Sequence, residues 1–145
     1  MKIEIWPSIL LHGHRDTKHG GSVRLWALAM SLDHTPECDH ANKICKGGSG
    51  KVKLADLKAA AISLKVSKSS FYHWLADARA CGLLSGNHTY LYYANQGKAA
   101  KICMVSTIDK SKSPINIKAL FKQGWQAVIW AAYLKANHHK NIGYN

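Results

Sequence analysis

The stretch from Leu57 to Val105 restricts the fold more than any other part of the chain. Its first half reads Leu57-Lys-Ala-Ala-Ala61-Ile-Ser-Leu64-Lys-Val66-Ser67-Lys-Ser-Ser-Phe71-Tyr-His-Trp74-Leu75. Two short helices joined by a tight turn fit this order. Ala61 is small enough for a second helix to cross closely, and Val66 fills the gap between the two. Ser67 can cap the second helix by accepting a hydrogen bond from a free amide. Phe71, Leu75 and Ala78 recur at helical spacing on one face, with Trp74 beside them. Gly82 ends that helix. Leu83 and Leu84 then lead to Thr89-Tyr-Leu-Tyr-Tyr93, a turn at Asn95-Gln-Gly97, and Lys101-Ile-Cys-Met-Val105. That pattern predicts two strands joined by a glycine-containing loop. The expected class is mainly α with a small β-hairpin, an α+β arrangement.

Helix, turn, helix and hairpin in this order resemble the winged helix-turn-helix superfamily, whose usual work is binding duplex DNA. The alanine, the Val-Ser pair and the two hydrophobic anchors fall at the offsets that resemblance implies. Lys65 departs from the pattern, since glycine is usual where the turn takes a left-handed conformation. A lysine in that conformation costs roughly 1 kcal/mol.

The 145 residues suit one domain, and a hydrophobic fraction of 47% is enough to build a core. Against 8 acidic residues stand 20 Lys and Arg, a formal charge of +12. Such a field attracts polyanions. Only Arg15, Arg24 and Arg79 are arginines, and lysine is a point charge suited to phosphate rather than a fork that reads guanine. Backbone contacts should therefore dominate any affinity for nucleic acid. Cys38, Cys45, Cys81 and Cys103 accompany an N-terminus without the apolar run of a secretory signal, which favours a reducing, cytoplasmic setting over a disulfide framework. The longest apolar run, Trp125 to Leu134, is about half of what a bilayer span needs, so no membrane role is expected.

Residues 1–21 read as an extended segment, interrupted at Pro7, followed by a loop rich in His and Gly. A winged-helix core is expected over 22–106, with its first helix from Ser22 to about Leu32. Residues 33–51, ending in Gly47-Gly-Ser-Gly50, form an expected flexible insertion. A Lys/Ser linker over 107–114 precedes a long C-terminal helix from Asn116 to about Ala136. Ile117, Leu120, Phe121, Val128, Ala131 and Leu134 trace one stripe of that helix, while Trp125, Trp130 and Tyr133 spread apolar surface to other faces. Such surplus suggests a partner surface, most simply a two-fold homodimer.

On this reading residues 68–81 form the recognition helix. Lys68, Ser69, Tyr72 and His73 face outward near its start, where such helices read the major groove. Ser70 and Arg79, with Lys65 in the turn, are placed for phosphate. Asn95, Gln96, Lys98 and Lys101 would form a basic wing over about 94–101, and Lys51, Lys53 and Lys58 would lie near the DNA backbone. The expected activity is small-scale transcriptional control or a replication-associated role, of the kind a mobile element carries.

Two other constellations invite chemistry. His34, Cys38, His40 and Cys45 are the ligand types zinc prefers, but their spacing lacks a Cys-x2-Cys knuckle. A polar loop without metal is the favoured reading, with zinc as the alternative cofactor. His12-Gly-His14-Arg-Asp16 is similar to the His-x-His-x-Asp element of metallohydrolases and to the two-histidine motif of rolling-circle nucleases. Thr17 stands where the first would need His, Gly13 where the second would need a hydrophobic residue, and no Tyr-x3-Lys follows. No acidic pair or phosphate-cradling loop appears, so no catalysis is expected. Two readings compete with duplex binding. One is a protein-interaction module docking through the aromatic C-terminal helix. The other is single-strand binding on Tyr90, Tyr92 and Tyr93, which is disfavoured because one face of that strand must cover the core.

Overall fold

A computed structural model describes residues 2–5, 7–10, 20–33, 49–103, 113–123, 128–131 and 134. Helices dominate, joined by two small antiparallel sheets. In chain order the elements are β1 (Lys2–Ile5), α1 (Gly20–Asp33), β2 (Lys51–Lys53), α2 (Leu54–Ser63), α3 (Lys68–Cys81), β3 (Leu84–Gly86), β4 (Tyr90–Tyr93), α4 (Gln96–Ile102), β5 (Ser113–Asn116) and α5 (Ile117–Gln123). The α+β class expected from the patterning is thus present.

The helix–turn–helix reading rests on local rules that the structure obeys. Ser67 caps α3, its hydroxyl accepting from the Ser70 amide at 3.1 Å. Gly82 closes α3 in the left-handed region at φ 92°, donating its N–H to the Ala78 carbonyl. Lys65 sits at φ 69° in the turn, the conformation for which glycine would be the easier residue. Leu57 and Ala61 of α2 and Phe71, Leu75 and Ala78 of α3 are buried. α1 packs chiefly against α3 and also against α2. Close approach depends on Gly21, because a Cβ there would lie 2.2–2.5 Å from Trp74 ring atoms. The same indole faces the Arg24 guanidinium at 5.9 Å. Burial lowers the pKa of Arg24.

Trp26 is the largest fully buried side chain among the described residues. Its indole N–H donates to the Ala94 carbonyl at 2.8 Å, so the ring fills the core without stranding a donor. That bond pins α1 to the end of β4. The three-stranded sheet has the order β2-β4-β3, with Val52 opposite Leu91 and Leu91 opposite Gly86. Val52, Leu84 and Leu91 turn inward to the core. In the second sheet β1 pairs with β5, Lys2 opposite Asn116 and Ile5 opposite Ser113. Ile5, Ile115 and Ile117 are buried there.

Several expected boundaries are corrected. Residues 7–10 are helical rather than extended, and Pro7 suits a first helical position because its missing N–H has no partner there anyway. α1 starts at Gly20, and Ser22 lies buried inside it rather than capping it. Of the expected insertion, Asp33 is the last residue of α1 and Lys51 the first of strand β2, which is too short for alternation to betray it. The last two residues of the expected linker, Ser113 and Pro114, belong to strand β5, which runs on to Asn116, so that α5 begins at Ile117. The C-terminal helix is described as α5 and as helical residues 128–131 and 134. Ile117 and Leu120 are buried as expected, and so is Ile129, whereas Ala131 is exposed and Leu134 is 55% exposed. Trp130, expected on an outward face, is partly buried against the core. Trp125 and Tyr133 lie outside the described residues, as does most of the insertion.

Candidate nucleic-acid interface

α3 presents one polar face because its other face is committed to the core. With Phe71, Leu75 and Ala78 inward, the 3.6-residue period turns Ser69, Tyr72 and His73 outward; Lys68 shares the inward stripe but stands at the first position of the helix, and all four are exposed. Tyr72 is 50% exposed. No acidic residue lies in the first turn of α3, and Lys65 and Lys68 stand exposed beside it. The positive end of the helix dipole adds to this field.

Four of the side chains expected to meet DNA are held by neighbours. The Tyr72 hydroxyl accepts from Lys58 Nζ at 2.7 Å, and the same ammonium lies 4.9 Å from the Tyr72 ring centroid. The hydroxyl proton of Tyr72 is thereby left to donate elsewhere. His73 Nε2 lies 3.6 Å from Asp77 one turn later, with its side chain 78% exposed. Ser70 is occupied with the cap, its hydroxyl 3.0 Å from that of Ser67. Arg79, expected to meet phosphate, instead donates to the Asn87 carbonyl at 3.1 Å. It ties the far end of α3 to the hairpin.

The wing is where sequence reasoning went astray. The hairpin is formed by β3 and β4, and its turn is 87–89. Asn87 organises it. Its side-chain oxygen accepts from the Thr89 and Tyr90 amides at 2.9 and 3.0 Å, and its own amide donates to the Tyr90 carbonyl at 3.0 Å. The exposed tip is Asn87, His88 and Thr89. The signal was available: Gly86-Asn87 between two apolar stretches is a hairpin dipeptide. Gln96, Lys98 and Lys101 belong to helix α4, with Asn95 at its N-cap, and they do not form a hairpin turn and strand. Asn95 caps that helix, accepting from the Lys98 amide at 2.8 Å. Ala99 and Ala100 bury its inner face, so the residues read as turn and strand are a short amphipathic helix. Cys103, expected on a strand, follows this helix and is buried.

Asp33, which no sequence signal marked, gathers a second polar cluster at the end of α1. Its carboxylate accepts from the Ser49 amide and hydroxyl, both at 3.1 Å, from the Gly50 amide at 2.9 Å, and from the Tyr93 hydroxyl. Partial burial pushes the carboxyl up, but the hydrogen bonds from Tyr93, Gly50 and Ser49 outweigh it and hold Asp33 below its ordinary value. Burial, reinforced by the adjacent carboxylate, raises the Tyr93 phenol well above its usual range. A shallow groove of about 220 Å³ runs beside this cluster, lined in part by Asp33, Lys51, Lys53, Asp56 and Tyr90.

His34, Cys38, His40 and Cys45 lie outside the described residues, as do His12, His14 and Asp16. Among the described residues no three His, Cys, Asp or Glu side chains converge as a metal site. No described helix is long and apolar enough to cross a membrane. No family model matches the chain, and neither a curated protein nor a solved structure does.

Proposed function

We propose that the protein is a winged helix-turn-helix module that binds duplex DNA through the exposed start of α3. The observation that carries this reading is the division of α3. Phe71, Leu75 and Ala78 lock one face into the core, Ser69, Tyr72 and His73 stand outward on the other, and Lys68 is exposed at the start of the helix. A major groove admits a helix presented in this way. The order of helix, turn, helix and hairpin and the charge of +12 support it. The wing of this module is the 87–89 turn. Lysine contacts to phosphate supply most of the affinity, and Tyr72, with its donor free, supplies selectivity. A small regulator or replication-associated protein fits these properties.

Selection of the full chain against a randomised duplex library tests this reading, because it asks at once whether duplex DNA is bound and whether one sequence is preferred. Replacing Tyr72 and His73 with Ala should then cost roughly 1–3 kcal/mol per lost base contact on the preferred duplex. Binding to random duplex should change far less. Equal losses on both would show that α3 is not the reader.

A further inference from the structure

We propose that the outer face of the three-stranded sheet is a second nucleic-acid site, which takes an extended single strand of DNA. Residues directly opposite one another in an antiparallel sheet share a face. Lys51 pairs with Tyr92, Tyr92 with Ser85, and Lys53 with Tyr90. These five side chains therefore stand together, while Val52, Leu84 and Leu91 cover the core. The sequence pattern had disfavoured a tyrosine platform because one strand face must pack inward. Leu91 meets that need instead, and Tyr90 and Tyr92 are left on the solvent side.

Tyr92 is 49% exposed, and its ring lies beside Gly86, where an added Cβ would come within 3.2 Å of Tyr92 Cδ2. Lys51 Nζ sits 4.7 Å from the Tyr90 ring centroid, and Lys53 is exposed next to it. None of the five side chains is acidic. Asp33 and Asp56 line the groove along β2, and Asp33 is already engaged by Ser49, Gly50 and Tyr93.

Aromatic faces combined with ammonium groups suit a polyanion that also carries flat π-surfaces. An acidic peptide would use only the charge. A duplex keeps its base faces stacked on one another, closed to a tyrosine ring. Tyr90 and Tyr92, two residues apart on one strand, are separated by roughly 7 Å, about twice the rise per base of a duplex strand (roughly 3.4 Å). An unstacked strand can meet that spacing and a duplex cannot. The choice of DNA over RNA rests on the duplex reading above, since a strand freed from the bound duplex is the ligand at hand. The platform itself does not depend on it.

Fluorescence anisotropy of the full chain with labelled oligothymidylate, across a salt series, tests the site. Tyr92→Ala should weaken binding roughly 5- to 150-fold, the range for losing one stacked base. Tyr92→Leu, apolar and of similar bulk but without a ring, should lose as much, and Tyr92→Trp should bind at least as well as the unaltered chain. Lys51→Gln and Lys53→Gln should each reduce the salt slope by about 0.7. Tyr72→Ala should leave single-strand binding unchanged, so that failure of the α3 reading and failure of this one are told apart. Retention of affinity by Tyr92→Leu would overturn the platform, as would polyglutamate competing as well as oligothymidylate. Oligouridylate binding tenfold tighter would overturn the assignment to DNA.

Discussion

Gly21 and Lys65 show how single residues set the geometry of the helix–turn–helix unit. An alanine at position 21 would gain about 1 kcal/mol of helix propensity. It would also press its Cβ into the Trp74 ring, and overpacking of this kind costs about 1–3 kcal/mol. The clash wins, so Gly21→Ala should lower stability by roughly 1 kcal/mol in urea unfolding, with a blue or red shift of tryptophan emission as Trp74 moves. Lys65 works in the opposite sense. Its left-handed backbone stores roughly 1–2 kcal/mol, which Lys65→Gly would release. The added freedom of an unfolded glycine offsets about 0.4–1 kcal/mol of that. A net gain of about 0.5 kcal/mol in the same measurement is the expected result. A loss would mean that the Lys65 side chain stabilises the turn through contacts of its own.

Arg79 joins two elements that sequence reading treats separately, because its bond to the Asn87 carbonyl couples the end of α3 to the hairpin turn. Arg79→Ala should loosen that turn by about 1 kcal/mol, the worth of an ordinary hydrogen bond. Faster amide exchange at Thr89 and Tyr90, with the Phe71 region unchanged, would report it. Equal acceleration throughout would indicate global destabilisation instead. The contrast between α3 and the hairpin also marks what could be read in advance. Ser67, Phe71, Leu75, Ala78 and Gly82 follow short-range rules of capping and periodicity, and the structure reproduces each of them. The second strand of the hairpin was misplaced because Ala99-Ala-Lys-Ile-Cys103 is apolar enough for strand or helix. The Asn95 cap and the burial of Ala99 and Ala100 decide for helix, and that burial is a tertiary fact. β2 and β5 were missed for a related reason: strands of three or four residues exist here through their partners, β4 and β1. The Lys58–Tyr72 contact and the Asp33 cluster join residues distant in sequence, and no local pattern encodes them.

Across the whole molecule, Asp33 links the helical layer to the sheet, and it gives stability a defined response to acid. A carboxyl held below its ordinary value of 3.8 contributes stability that is fully present above that value. The contribution is lost as pH falls through the lower folded-state value. Thermal melts should therefore show Asp33→Asn less stable than the unaltered protein by about 2 kcal/mol near neutrality, on the scale of hydrogen bonds to a charged acceptor. The gap should narrow once pH drops below about 4. A gap independent of pH would mean that the carboxylate's charge does not matter to the cluster. The same clamp fixes the two ends of residues 34–48 at a single point, with Asp33 on one side and Ser49 and Gly50 on the other. Closure entropy grows slowly with length, each doubling costing about 0.6 kcal/mol, so a change in the number of residues between Asp33 and Ser49 should cost little while the clamp holds the two ends together. In lineage terms this is where the molecule can acquire new parts without being redesigned.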